Sequence, residues 1–186
     1  MTQSRGRAQF LEPLPGRLLS EPLDYILADH LRQRVLCHLC DRLADAETVD
    51  CRLAEEVASH IADDMAIHIR DEEEDLFPAL RRRAKPDDDI DKVLGQLFGD
   101  HAEDETMARK IVAGLRRCIG KGGGKVPPRL AKTLRNFARH QRRHLALENA
   151  VIIPLAKVRL SAKDLETLSG AMAARRGTSP EEISAK

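Results

Sequence analysis

A histidine and a glutamate four residues apart, followed by a proline six residues later, occur twice in this chain. The two copies are His68, Glu72 and Pro78, and His144, Glu148 and Pro154. On a helix, a spacing of four residues places an imidazole and a carboxylate one turn apart on the same face. Imidazole nitrogens and carboxylate oxygens together suit iron, manganese or zinc. The repeated pair therefore predicts a metal site.

A lone histidine in a helical pattern precedes each pair. His30 lies 38 residues before His68, and His101 lies 43 residues before His144. The chain then consists of two helical hairpins, each with one histidine and one histidine–glutamate pair. A glutamate whose two oxygens bind different ions can hold two metals about 3.5–4 Å apart. The predicted metal ligands are His30, His68, Glu72, His101, His144 and Glu148.

A single histidine–glutamate pair on a helix is often only a surface contact, worth about 0.2–0.5 kcal/mol. Glu72 and Glu148, however, fall on the same helical stripes as apolar residues such as Leu76 and Leu134. Burying a carboxylate without a partner is very costly. Six residues of ligand type, with matched spacing and matched prolines, therefore favour metal binding over coincidence.

Apolar residues at intervals of three and four predict four long helices. We expect them to begin near Pro22, Leu53, Ile90 and Pro128, and to reach about Leu43, Pro78, Leu115 and Pro154. Pro78 should end or kink the second helix, with one or two further turns beyond it. Four helices joined by short loops indicate an all-α, up-down-up-down four-helix bundle.

The two ends of the chain are predicted to lie outside this bundle. Residues 1–20 contain glycine and proline and show no sustained period, which indicates a loosely ordered N-terminal arm. Ser161 and Asp164 have the pattern of a capping box and predict a short C-terminal fifth helix to about Arg176. We therefore divide the chain into an arm at 1–20, a bundle at 21–159, and a short helix with a tail at 160–186.

The composition argues against several classes of function. The formal net charge is +1, which gives little support for attraction of the whole chain to nucleic acid or an anionic membrane. Aromatic residues make up 3% of the chain, so surfaces that stack bases are not expected. No apolar run approaches the roughly 20 residues that span a bilayer, and no signal segment follows the first methionine. We expect a cytoplasmic protein with no nucleic-acid or membrane partner.

Two other short motifs have ordinary structural interpretations. Cys37 and Cys40 form a C-x-x-C pair, but they lie inside an apolar helical pattern, and no second C-x-x-C is present. Small buried residues explain this pair better than a zinc or thioredoxin-like site. The glycine-rich sequence at 121–125 lacks the spacing of a phosphate-binding P-loop and predicts a flexible loop.

The segment from His68 to Pro78 reads H-I-R-D-E-E-E-D-L-F-P and resembles the H-x-x-x-E-E-x-x-L-F-P signature of the hemerythrin HHE cation-binding family. The copy from His144 to Pro154 is a degenerate version, with Asn149 in place of the second glutamate. The resemblance covers about residues 22–158. It implies a four-helix bundle around a non-haem centre of two iron ions with an oxo or hydroxo bridge. On this resemblance, the metal-ligand roles fall on the six residues named above.

The chain departs from the family members that carry oxygen in animals. Those proteins use five histidines, with an H-x-x-x-H pair on the third helix and an aspartate on the fourth. Here the third helix has the single His101, and the H-x-x-x-H pair of His140 and His144 lies on the fourth. The departure favours the HHE-type members that are associated with sensing, iron handling and stress.

Some neighbouring residues remain alternatives. His140 is a candidate fifth histidine ligand, and Glu105 is a candidate further carboxylate. The acidic residues between 100 and 104 are expected to form a solvated face. Glu73 can hydrogen-bond a ligand histidine from outside, and His60 is expected off the ligand stripe, either behind the ligands or at the surface.

Together these features predict a hemerythrin-like protein that binds O2 or NO for sensing, carriage or stress response, a binding protein more than an enzyme. The alternative is iron handling or enzymatic work, such as repair of iron–sulfur centres or turnover of NO or peroxide. Family relatives that repair such centres typically carry an N-terminal module with cysteines, and residues 1–36 contain none. A metal-free adaptor bundle is disfavoured by the complete ligand set. A sensor needs a separate regulatory protein partner, and we expect a monomer or a homodimer.

Overall fold

The computed structural model describes residues 11–179 and residue 183. Within these residues it contains five helices and no strand. They are α1 at Pro22–Asp45, α2 at residues 51–83, α3 at Ile90–Gly120, α4 at residues 128–159 and α5 at Ala162–Arg176. Helix α2 runs without a break through Cys51–Ser59, His60–Asp64, Met65–Arg70, Asp71–Leu76 and Phe77–Arg83, and α4 through Pro128–Leu147, Glu148–Ile152 and Ile153–Arg159.

The four long helices form the predicted up-down-up-down bundle. Helix α4 packs on α1 and on α3, α2 packs on α3, and α1 also contacts α2, so the ring of helices closes. Short connections join them, and one contains a 3-10 turn at Pro86–Asp88. Short loops of this kind fix antiparallel neighbours. The prediction of a four-helix bundle with a short fifth helix is confirmed.

The apolar core of the bundle consists of two clusters. One contains Leu36, Val57, Leu115 and Phe137 with their neighbours, from one half of each long helix. The other is formed by the opposite halves of the same helices together with α5. Between the two clusters, every long helix has a short stretch that supplies polar residues to the interior. The six predicted ligands lie in these four stretches.

Local sequence explains where helices start and stop. The Asp50 carboxylate accepts hydrogen bonds from the backbone N–H groups of Arg52 and Leu53 and so caps α2. Ser161 and Asp164 form the predicted capping box at the start of α5. Gly177, with φ of 63°, ends α5 in the left-handed conformation that glycine adopts without strain.

Helices α2 and α4 do not end at their prolines. Each contains a π-helical turn at the glutamate of its pair, Asp71–Leu76 in α2 and Glu148–Ile152 in α4, and the proline lies in the first turn of the α-helical segment that follows. A missing N–H is tolerated in a first turn. Single π-turns inside α-helices are rare and frequently occur at functional sites. A third π-helical turn lies at His60–Asp64 in α2. The turn therefore accompanies both paired glutamates but is not confined to them.

The chain before α1 is partly described. Residues 1–10 of the predicted arm lie outside the described residues. From Leu11 onward the chain lies on the bundle, because the Leu11 N–H donates to Glu56 at 2.9 Å and Leu19 is fully buried. Over the described residues, no helix combines the length and the apolar character that crossing a membrane requires.

Helix α5 is joined to the bundle through a buried carboxylate. Asp71, which is fully buried, accepts from Arg175 at 2.8 Å and from Arg176 at 2.5 Å. Arg176 also donates to the Tyr25 hydroxyl at 2.9 Å, and its guanidinium lies 4.7 Å from the centre of that ring. Two arginines of α5 thus pair with the Asp71 carboxylate, which directly precedes Glu72 in the chain.

Replacing Arg176 with methionine tests this junction. The change keeps the apolar stem but removes one of the two cations on Asp71. Loss of a partner from a buried ion pair costs about 3–5 kcal/mol, and because Arg175 remains, we expect a loss of roughly 2–3 kcal/mol in the free energy of unfolding by urea. Lys163→Met, on the exposed side of the same helix, should change stability little. Equal losses in the two variants would show that the Asp71 contact is unimportant.

The cysteines provide a second test. Cys37 and Cys40 are fully buried, and burial raises the pKa of Cys37 to about 12 and that of Cys40 well above its usual value. The thiolate is the reactive form, so these two thiols should react with iodoacetamide roughly a thousandfold more slowly than half-exposed Cys51 near neutral pH. Mass spectrometry of the native chain checks this order. Rapid labelling of Cys37 or Cys40 would contradict this expectation and would support a redox or zinc role for the C-x-x-C pair.

Candidate metal centre

The structure brings the six predicted residues together in the middle of the bundle. Helix α1 supplies one histidine, α2 a pair, α3 one histidine and α4 the second pair, and none of the six is more than 4% exposed. The spacing of four residues within each pair puts its imidazole and carboxylate on the same inward face. All four long helices therefore meet at a single polar layer.

Glu72 lies within 3.6 Å of three of the imidazoles. Its Oε1 atom is 3.4 Å from His68 Nε2 and 3.6 Å from His30 Nε2, and its Oε2 atom is 3.3 Å from His101 Nε2. Glu148 mirrors this position from α4. Its Oε2 atom is 3.2 Å from His144 Nε2 and 3.4 Å from His30 Nε2.

The donor atoms form two overlapping groups. One group contains His30 and His68, the other contains His101 and His144, and both contain Glu72 and Glu148. Within each group, one ligand atom from every residue lies within 4.8 Å of the others. Each group can therefore surround one cation, and both carboxylates belong to the two groups at once.

Several of these buried polar atoms have no hydrogen-bond partner. They include both carboxylate oxygens of Glu72, both of Glu148, and the Nε2 atoms of His30 and His68. An unsatisfied buried polar group costs about 1–3 kcal/mol, and more when it is charged. Orphaned lone pairs that converge on one point are the donor set a metal cation satisfies. The residues present thus fit a metal.

The electrostatics of the layer favour positive charge. Burial by itself raises the pKa of Glu72, but the facing imidazoles, His68 first among them, hold this pKa well below its usual value. Burial by itself lowers the pKa of His68, but Glu72 and Asp29 raise it to about 10. The pKa of His144 rises to about 9 because Glu148 outweighs burial in the same way. A field that holds protons on buried imidazoles also attracts metal cations.

The outer nitrogen of each ligand histidine faces a polar partner. The Nδ1 atoms of His30 and His101 each lie 2.7 Å from an oxygen, Asn149 Oδ1 and Glu73 Oε1 respectively. The other two contacts are His68 Nδ1 to Asp29 Oδ2 at 3.1 Å and His144 Nδ1 to Asp100 Oδ2 at 3.6 Å. The three shorter contacts can fix the tautomer and the ring orientation of His30, His68 and His101. His144 Nδ1, in contrast, has no hydrogen-bond partner among the described residues.

These partners repeat with the same internal symmetry as the ligands. The residue after each paired glutamate, Glu73 or Asn149, holds the lone histidine of the opposite hairpin. An aspartate that precedes each lone histidine, Asp29 or Asp100, faces the paired histidine of its own hairpin. Sequence reasoning anticipated Glu73 but missed Asp29. The sequence feature that could have identified Asp29 is the Asp-His dipeptide, which occurs at both lone histidines.

His140 is not part of either donor group. Its Nδ1 atom lies 2.8 Å from the Asp104 carboxylate, and its Nε2 atom lies 3.4 Å from Glu103. The expectation that Asp104 belongs to a solvated face is wrong, because its side chain is fully buried, and burial raises its pKa to about 6. Glu105 is exposed and pairs with Arg109 at 2.8 Å, so it lies away from the donor atoms.

His60 is buried behind the ligands. Its Nδ1 atom lies 3.4 Å from Arg32, which donates to Asp29 at 2.7 Å, and Asp29 in turn faces His68. Burial lowers the pKa of His60 despite the nearby Asp64 carboxylate. Of the two alternatives that the sequence left open for His60, the structure places it behind the ligands.

Comparison with known families decides the classification. The model of the hemerythrin HHE cation binding domain matches residues 21–156. The chain belongs to this family. A search of curated proteins found no match. The resemblance inferred from the His68 segment is thereby confirmed, and the match includes the four long helices, apart from the last three residues of α4, and all six predicted ligands of this HHE protein.

Asp29→Ala tests the outer partners of this HHE protein. Removing a group that orients a ligand histidine typically weakens metal affinity 10–100-fold, and we expect a loss in that range for Fe²⁺. Competition with a chromophoric chelator measures it. Asp24→Ala, at an exposed position of the same helix, is the control, and Asp29→Asn, which keeps an acceptor, should fall between the two. Unchanged affinity in Asp29→Ala would mean that His68 is oriented by packing alone.

Proposed function

We propose that this HHE protein holds two iron ions through its four histidines and two glutamates and binds O2 or NO at them, as a sensor or carrier in a stress response. One observation carries the proposal. Both buried glutamates belong to both donor groups, so each carboxylate has one group of imidazoles on either side. Carboxylates shared in this way suit a pair of metal ions.

The composition of the donor set supports iron and diatomic ligands. Four histidines and two glutamates differ from the ferritin-like arrangement, which uses a glutamate and a Glu-x-x-His motif on paired helices. Two divalent ions would bring four positive charges, and the two carboxylates would neutralise two of them. The remaining charge favours an anionic ligand between the metals. Bound iron would supply a reversible site for O2 or NO.

The protein's own side chains orient and shield the centre. The outer partners of His30, His68 and His101 would hold their Nε2 atoms toward the metals. The Phe77 ring stacks on His101 at 5.9 Å between centroids, with an angle of 7° between the planes. Apolar clusters lie on both sides of the polar layer. Such surroundings exclude bulk water, which would limit proton leakage into the centre and competition by water for the bound metals.

A route for a signal leads from Glu72 to α5. Glu72 follows Asp71 in the π-turn of α2, and Asp71 is bound by Arg175 and Arg176 of α5. A ligand that shifts Glu72 would act on the same turn, and thereby on α5. This contact supports α5 as the surface to which a regulatory protein partner binds.

The second candidate function is turnover of NO or peroxide, or iron handling. A specific observation favours it, namely the buried Asp104–His140 pair. His140 connects Asp104 to Glu103, whose side chain is 64% exposed. A buried carboxyl with a pKa of about 6 and a histidine that leads to the surface can exchange protons during turnover.

The test measures the metal content and the optical spectra of the protein after purification from iron-supplemented cells. We expect about two irons per chain in the native protein, and one or fewer in Glu72→Ala and His144→Ala. His38→Ala, at an exposed histidine of α1, should keep the full content. Zinc alone, or no metal in a folded native chain, would refute the proposal and leave an adaptor bundle as the best account.

The response to ligand separates the two functions. A sensor or carrier should show a spectrum that changes with O2 or NO under anaerobic mixing and returns when the gas is removed. An enzyme should consume NO or peroxide over many cycles. Asp104→Asn should leave reversible binding intact, whereas it should slow turnover if the proton route operates. The iron content of that variant, measured in parallel, confirms that the centre is loaded.

A further inference from the structure

The basic residues of this chain are strongly segregated. Between residues 106 and 147 there are twelve lysines and arginines and no aspartate or glutamate. This stretch includes the C-terminal half of α3, the glycine-rich loop and most of α4. The net charge of +1 therefore hides a large local excess of positive charge.

The structure gathers half of these cations around one concavity. A groove of about 750 Å³ lies between the end of α3 and the start of α4. No acidic residue lines it. The six basic residues that line this basic groove are Arg109, Lys110, Arg117, Lys121, Lys125 and Arg129, and all six are exposed.

The cations of the basic groove are largely unpaired. Arg109 pairs with Glu105 at 2.8 Å, and in the described part of the chain the other five form no ion pair. Arginines elsewhere on the surface do find carboxylates, such as Arg83 with Asp164 at 2.8 Å. Like charges crowded without counter-charges repel one another and lower stability. A bound polyanion would relieve that repulsion.

The start of α4 adds to the positive potential. The N-terminus of a helix is its positive end and favours acidic residues. Here Pro127 provides no side-chain cap, and the first turn has no acidic residue. Lys125 and Arg129 instead lie beside this end, where a cation is unfavourable. Helix stability does not explain their position, whereas attraction of an anion does, because the positive end of the helix and the two cations act in the same direction.

The backbone holds the groove in shape. A Cβ atom on Gly114 would lie 2.7 Å from Leu130 Cδ1, so the glycine permits α3 and α4 to approach closely at the base of the groove. The loop is tied down on its other side, because the Val49 N–H donates to the Gly124 carbonyl at 2.8 Å. The cations are therefore presented on a defined scaffold.

The chemistry of the groove selects its occupant. Protein interfaces depend on apolar and aromatic anchors, and the exposed large apolar residues of the described chain, Leu31, Val35 and Val158, lie on other surfaces. A membrane is flat and would reach few cations inside a concavity. From Arg109 to Lys121 the cations extend over twelve residues of helix, about 18 Å. This length matches several phosphates of a nucleic-acid strand.

We propose that the basic groove binds the phosphate backbone of duplex nucleic acid without regard to base sequence. A duplex has the highest phosphate density, one charge per about 1.7 Å of axis. No aromatic side chain lines the groove, so single strands gain no stacking there. The expectation of no nucleic-acid partner rested on net charge and on scarce aromatics. Scarce aromatics argue against base stacking, and net charge does not describe a local patch.

The test is fluorescence anisotropy of a labelled 20-base-pair DNA duplex with the full, iron-loaded chain. We expect a Kd of about 10⁻⁴–10⁻⁶ M that weakens with salt, with a log–log slope as steep as about −5 if six cations contact phosphates. A variant with Lys110→Gln, Arg117→Gln and Lys125→Gln should bind at least tenfold more weakly, and its slope should be smaller by about 3. Scrambling the duplex sequence should change nothing.

The matched control removes three exposed cations elsewhere, Arg34→Gln, Lys92→Gln and Lys163→Gln. It has the same net charge as the groove variant and should retain native affinity. Equal weakening in both variants would overturn the proposal, since only total charge would then matter. No binding at low salt would also overturn it, as would tighter binding of poly-glutamate than of the duplex, which would indicate an acidic protein partner. Circular dichroism and iron content establish that each variant is folded and loaded.

Discussion

The burial of two glutamates in the centre of a helical bundle is the constraint on which the rest of this structure depends. Glu72 and Glu148 are fully buried and their oxygens lack hydrogen-bond partners. Isolated carboxylates are very unfavourable in such a place. The bundle meets this demand by directing four imidazoles at them, one from each long helix, and by offering the clustered donor atoms to cations. The two apolar clusters on either side provide the folding free energy that a polar layer alone lacks.

Charges around this layer alternate outward, which explains why so many polar side chains are buried. The carboxylates face imidazoles, the imidazole of His68 faces Asp29, and Asp29 faces Arg32. Asp71 repeats the pattern with two arginines of α5. Each group thus has an opposite charge next to it, and the cost of removing it from water is partly offset at every step. Side chains supported by such partners are held in defined orientations, as a metal centre requires.

The bundle and the clustering of the six candidate ligands could be predicted from the sequence because both follow from local spacing. A helical period and a pair at i, i+4 are visible in one segment at a time. What sequence reasoning missed depends on contacts between helices. Asp104 belongs to an acidic run with no apolar period, and its partners His140 and Gln141, from a different helix, show why it is buried. The basic groove was missed for another reason, since net charge averages over the acidic residues of α2 and the basic residues of α4.

The segregation of charge that defines the groove also suits the metal centre. Acidic residues concentrate near the polar layer, where they orient histidines and attract cations. Basic residues concentrate at the opposite end of α3 and along α4. His101 and Arg117 are separated by sixteen residues of helix, about 24 Å, which exceeds the Debye length of about 8 Å at physiological ionic strength. The cations of the distal part of the groove therefore repel an incoming metal ion only weakly. One bundle can accordingly present a cation site in its core and a basic groove at its end, with the distal cations of the groove separated from the core along α3.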